Sequence, residues 1–298
     1  MLKPLHVFRH PNAVYAASFA SDGQTLATGS LDNNIKLWDL TSGRELRTLT
    51  GHRDGVCGVA WLPDGKQLLS ASMDKTLRIW EVESGSEVLS FSGHQQYIES
   101  FALSSDGSLA ASGSYDKEIR IWSIAGQATV RTLRGHTGPV YGLAFAPSAE
   151  YLASAGNDDS LRVWDVGSGR QLENCVGHKG TVQGATFSPD GRTLASCGSD
   201  STLRLWNAKT LELQQTVGEH HGYLKCLAYS PDGKLLLTAG SAGTLHIYDA
   251  SGRPLAALPS LHQNTIYGLA FSDDGRKLAT ASFDRTIKLW NVQEICGS

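Results

Sequence analysis

The stretch Gly135–His178, GHTGPVYGLAFAPSAEYLASAGNDDSLRVWDVGSGRQLENCVGH, begins and ends on the same dipeptide, Gly-His. Between the two histidines lie four short runs rich in apolar and β-branched residues: PVYGLAFAP from Pro139, Tyr151–Ala155, Leu161–Trp164 and Gln171–Val176. Each is about as long as a strand, each is bounded by turn residues, and none carries a helical period. Four short antiparallel strands in one unit predict a radial blade rather than a βαβ or helical repeat.

The unit recurs every 42 residues without a slip. Trp38, Trp80, Trp122, Trp164, Trp206 and Trp290 keep the beat, with Tyr248 in the one vacant slot; His10, His52, His94, His136, His178, His220 and His262 keep it too. A repeat of this length signals a propeller or solenoid. Seven units take up almost all of the 298 residues, so residues 1–298 are expected to form one seven-bladed β-propeller domain. Asp-Gly marks the first hairpin at Asp22-Gly23, Asp64-Gly65, Asp106-Gly107, Asp190-Gly191, Asp232-Gly233 and Asp274-Gly275, and only the fourth unit departs, with Ser148-Ala149. Both residues of Asp-Gly tolerate positive φ, which suits a tight turn. Six and eight residues after each His stand small side chains, and nine after stands Phe19, Trp61, Leu103, Phe145, Phe187, Tyr229 or Phe271. Small on one face and bulky on the other fits a strand crowded at an axis, so this strand is expected innermost. Only eight residues follow Trp290, too few for an outer strand, whereas Leu2–Phe8 stands in the register of one. The N-terminal segment is therefore expected to complete the last blade and close the ring.

Composition narrows the function classes. A net charge of −3 with no basic cluster argues against nucleic acid. No apolar run reaches the roughly 18 residues of a membrane span, and Met1–His10 lacks a secretory h-region. Five cysteines without CxxC spacing suit reduced thiols, and a cytoplasmic location is expected.

Gly-His, a Ser or Thr in the second strand, an Asp in the next turn and a Trp followed by Asp, Glu, Asn or Ser resemble the WD40-repeat β-propellers over essentially the whole chain. The resemblance implies a hydrogen-bonded quartet in each blade: His136, Ser154, Asp158 and Trp164 in the fourth, His10, Thr28, Asp32 and Trp38 in the first. It also implies a protein-interaction scaffold whose partner sits across the face carrying the His and Asp loops. The sixth unit departs, with Ala242 in the Asp slot, Tyr248 in the Trp slot and Glu219 before His220, and is expected to be the loosest.

A His–Asp–Ser set that recurs in six units is architecture, since a catalytic triad is one asymmetric place recognised by geometry. Histidines 42 residues apart do not share an ion, so neither metal nor cofactor is expected. Lys36, Arg78, Arg120, Arg162, Arg204 and Lys288, two before the aromatic slot, read as stems along the Trp with charged heads at the rim.

One pattern is not demanded by the repeat. Three slots open toward the His and Asp loops: three after His, five after His, and just before the turn Asp. They hold Tyr15, Tyr97, Tyr115, Tyr141, Tyr223 and Tyr267, with Met73, Phe283, Leu31, Glu99, Asn157, Gln183 and Lys225. Tyrosine is enriched at binding hot spots. The expected function is a monomeric, non-enzymatic scaffold that binds a peptide or protein on this face, with a basic side chain held by cation–π contact and Glu99. The alternatives are a subunit docking by its outer rim and an enzyme using the central channel.

Overall fold

The computed structural model describes residues 2–218 and 220–297; Glu219, one of the departures of the sixth unit, lies outside them. Seven four-stranded antiparallel sheets form the blades of a β-propeller. In the fourth blade the strands run Val140–Phe145, Tyr151–Gly156, Leu161–Asp165 and Gln171–Cys175, from the axis outward. The inner strand of every blade touches that of the next, and Ile266–Phe271 of blade 7 touches Val14–Phe19 of blade 1. The ring closes as the sequence indicates: His6–Arg9 pairs with Thr286–Asn291, register Phe8 to Ile287, as the outer strand of blade 7.

The small residues at the axis have a steric reason. A Cβ on Gly142 would stand 2.8 Å from Gly184 Cα, and one on Gly184 would meet Leu227 of the next blade at the same distance. Real Cβ atoms do not approach so closely, so the sixth residue after His must stay small for the blades to meet. Between blades the core is built from aliphatic and Trp side chains, Trp80, Trp122 and Trp164 among them, each at most 2% exposed. Burying a side chain of this class contributes about 1.5–3 kcal/mol.

Two local expectations change. In the Asp-Gly hairpins only the glycine takes positive φ, 65° at Gly23, and Ala149 accepts the same left-handed position at 57°. The Asp instead folds its carboxylate over following backbone N–H groups, as Asp22 does to Gln24 at 2.7 Å. And after the last Trp strand the chain forms a short helix, Val292–Cys296, N-capped by Asn291, with Ile295 buried against blades 6 and 7.

Candidate functional site

The quartets come first because they fix the loops above them. In six blades the turn Asp accepts from His Nδ1 at 2.8–3.0 Å. An ionised carboxylate only accepts, so the proton sits on Nδ1, and Nε2 accepts the Ser or Thr hydroxyl proton at 2.7–2.8 Å. That hydroxyl oxygen accepts the Trp indole N–H at 2.8–3.0 Å. Asp74, Asp116, Asp158 and Asp284 are held below the usual carboxylate range by these bonds, which outweigh burial; Asp116 sits at about 2. Each group is used inside its own blade, so nothing in the quartets faces a substrate.

The cationic slot reaches both ways: Arg78 meets Glu87 of the outer strand at 2.7 Å and Asp74 at 3.3 Å, Arg162 meets Gln171 of the outer strand at 2.7 Å and Asp158 at 3.4 Å, and Arg204 is only 9% exposed. The turn Asp has lone pairs left after serving His, and a guanidinium nearby fills them. Lys36 instead lies over the Trp38 ring and pairs with Glu45 at 2.6 Å.

Blade 6 loses this arrangement. His220 Nε2 meets the Tyr248 hydroxyl, and Nδ1 donates to Ser201 O at 2.8 Å in place of an Asp. The cationic slot holds His246, whose ring stacks edge-on to His220 at 4.7 Å.

The candidate surface divides into two levels. Five residues after each His the inner strand bulges: pairing skips Tyr15, Cys57, Glu99, Tyr141, Gln183, Lys225 and Tyr267. A bulge re-aims the extra residue, and here all seven line the central channel, a cavity of about 220 Å³. These positions therefore lie within the channel rather than on the open face. There Lys225 Nζ stands 3.0 Å from Gln183 Oε1, 3.6 Å from Glu99 Oε1, and over the Tyr141 and Tyr267 rings at 5.0 and 5.5 Å. Burial still holds Glu99 above the ordinary range, with Lys225 opposing the rise. The cation–π site and Glu99, expected to hold a partner's basic side chain, are thus occupied by the chain's own lysine. The contradiction has a plain cause: Lys225 lies three repeats beyond Glu99, on the far side of a channel narrow enough to span.

The remaining slots stand on the open face. Tyr97, Tyr115 and Phe283 are 47%, 39% and 44% exposed. Tyr97 meets Tyr115 edge-on at 6.2 Å, and the Tyr115 and Tyr141 hydroxyls are 3.2 Å apart. On the other side Phe283 adjoins Tyr267, which stacks on Tyr15 at 4.2 Å. Leu31 and Met73 both lie against Gly55. Tyr223 is half-buried and within 3.4 Å of Thr265 Oγ1, and Asn157 accepts from Thr181. Read around the ring, the slot before the turn Asp holds Phe283, Leu31, Met73 and Tyr115 in blades 7, 1, 2 and 3, then Asn157, Ser199 and Ser241 in blades 4, 5 and 6. The face has an apolar arc and a polar arc, a division that a residue-type count does not reveal but the order of blades does.

Among the described residues no group of three or more His, Cys, Asp or Glu is placed to hold a metal ion. No helix among them is long and apolar enough to cross a membrane.

The profile of the family described as "WD domain, G-beta repeat" matches residues 2–39, 43–81, 85–123, 127–165, 169–207, 211–249 and 252–291. Among curated proteins, the chain is 51% identical over 49 residues to the nuclear distribution protein PAC1 of Mycosarcoma maydis, covering 16% of this chain and 11% of the relative. It is 46% identical over 43 residues to nuclear distribution protein PAC1-2 of Postia placenta, covering 14% and 10%. Each match is about the length of one repeat.

Proposed function

Because the chain belongs to the WD40-repeat family, whose propellers typically serve as protein-interaction scaffolds, we propose that it is a non-enzymatic scaffold binding a protein or peptide through the apolar arc of its open face. The observation that supports this most is the run of four consecutive blades presenting Phe283, Leu31, Met73 and Tyr115, beside exposed Tyr97. Exposed aromatic side chains gathered in one patch, here with half-buried Leu31 and Met73 between them, mark interfaces. Tyr15, Tyr141 and Tyr267 support the arc from below, Asn157 and Tyr223 border its polar side, and Gln183 holds Lys225 in the channel beneath. Glu99 and Lys225 pair with one another in the channel, which supports a binding rather than a catalytic reading. The partner on this reading is protein, recognised by apolar contact rather than by charge, with no nucleic acid and no lipid surface. We place the protein in the cytoplasm, as a monomeric propeller within a complex.

A second reading rests on the rim. Where the outer strand bulges against its neighbour, Leu46, Val88, Val130, Leu172 and Leu255 are exposed. Affinity capture from native lysate separates the two. The variant Tyr97→Ala/Tyr115→Ala/Phe283→Ala is expected to lose its partner, since each hot-spot truncation costs about 2 kcal/mol, roughly 30-fold. Leu46→Ser/Val88→Ser is expected to retain it. The reverse pattern would assign the partner to the rim.

A further inference from the structure

The seam between blades 4 and 5, on the face opposite the His and Asp loops, breaks the repeat twice. The turn before the outer strand takes a left-handed glycine at Gly43, Gly85, Gly169 and Gly252, whereas blade 3 puts Gln127 there at φ 51° and blade 5 puts Leu211 there at φ 61°. The first hairpin takes a left-handed glycine in every blade except the fourth, where Ala149 stands. Any Cβ is disfavoured in that region, so both departures run against local preference.

Two other seams show an arrangement that this one lacks. Between blades 1 and 2 Arg47 crosses to Ser84 O at 3.1 Å, and between blades 3 and 4 Arg131 crosses to Gly167 O at 2.6 Å. A Cβ on Gly85 would stand 3.0 Å from the Arg47 guanidinium, and one on Gly169 would stand 3.3 Å from the Arg131 stem. In blade 4 the same slot holds Glu173, which accepts its neighbour's N–H at 3.0 Å and makes no such crossing. The space an arginine would fill stays open, and Leu211 enters its wall.

What remains is a cavity of about 400 Å³ lined by Tyr151, Val163, Leu172, Phe187, Ala208 and Leu211. That volume lies in the range of small-molecule sites, roughly 300–1,000 Å³, and the mix of aromatic and aliphatic walls is typical of them. The charges at its mouth are Asp190 and Lys209. Asp190 is already served by Ser188 Oγ at 2.6 Å, the Arg192 N–H at 3.0 Å and the Arg192 guanidinium at 3.9 Å. Lys209 is exposed and makes no ion pair among the described residues. Asp190 thus turns its carboxylate onto its own loop, and among the described residues Lys209 is the charged group at the mouth left without an ion-pair partner to meet a ligand.

We propose that this seam is a binding site for a small amphipathic anion, an apolar tail in the cavity and a carboxylate or similar head on Lys209. The site is separate from the open face and does not depend on the partner reading above. Decanoate is the probe, titrated into the intact chain and followed by amide chemical shifts. Saturable binding at one site is expected, with shifts gathered on Tyr151, Val163, Leu172 and Leu211. Lys209→Ala is expected to weaken it roughly fivefold. Decylammonium, with the same tail and the opposite charge, is expected to bind more weakly than decanoate by at least as much. Ala208→Phe, which fills the cavity from a half-exposed turn, and Ser148→Trp, which covers its mouth from the surface, are each expected to abolish binding while the melting temperature holds. Absence of saturable binding, equal affinity for the two amphiphiles, or unchanged binding in the folded blocking variants would each overturn the assignment.

Discussion

Asp158→Ala is expected to destabilise the propeller by about 3 kcal/mol, the scale of breaking a buried charged pair. The carboxylate accepts from His136 Nδ1 at 2.9 Å, the Thr137 N–H at 2.8 Å, Ser160 Oγ at 2.6 Å and Arg162 at 3.4 Å. Its removal leaves Arg162 with Ser160 and Gln171 as its remaining partners and strips the buried His136 ring of its anion. For a chain of this length the melting temperature should fall by about 6–12 °C. Asp273→Ala, at an exposed turn, is the control and is expected to stay within about 0.5 kcal/mol. Partner recovery by folded Asp158→Ala should be unchanged, because the quartet organises the blade without touching the arc.

Lys225→Met is the second large effect, about 2 kcal/mol at neutral pH, scaled down from a fully buried pair because water reaches the channel. Lys225 and Glu99 side chains are 12% and 9% exposed. Without the ammonium, Glu99 keeps the burial that raises its pKa and loses the charge that opposed the rise. The sign of the pH dependence follows. A carboxylate that titrates higher in the fold than in the unfolded chain, where it titrates near 4.3, binds more protons when folded across the interval between the two. Stability is lost as pH rises through that interval. The variant should therefore be closer to the parent at pH 5 than at pH 8, and the gap should vanish in Lys225→Met/Glu99→Gln. Equal loss at both pH values would show that the lysine acts only by filling space.

Much of this architecture is legible in the sequence because each blade repeats the same physical demands. The quartet spacing gives the turns, the small residues give the axis, and Leu2–Phe8 in outer-strand register gives the closure seen as His6–Arg9 against Thr286–Asn291. The channel is not legible in the same way. Period-two alternation places the fifth residue after His on a face of a regular strand, and a bulge overrides it by lifting that residue out of the pairing. Nor does spacing show that Lys225 and Glu99, 126 residues apart, are close enough to pair, since that depends on the width of the hole. The helix Val292–Cys296 is too short for a period to show. Ala149 stands out in the sequence as a missing glycine, but the cavity it borders with Leu211 depends on Arg47 and Arg131 crossing their own seams and Glu173 not crossing its own.

Protection factors of backbone amides, compared blade by blade in the native state, test most directly the claim that the quartets hold the ring. In blade 6 no Asp meets His220 and Tyr248 replaces the indole, so Leu235–Gly240 and Leu245–Asp249 are expected to open at lower free energy than their counterparts in blades 2 and 4. The gap should widen on acidification from about pH 6.5. Burial and the neighbouring histidines pull His246 down to about 4, so between those values the unfolded chain binds more protons and the blade loses stability. Blade 6 as protected as blade 2 at neutral pH would contradict the quartets' role in stability, whatever the open face binds.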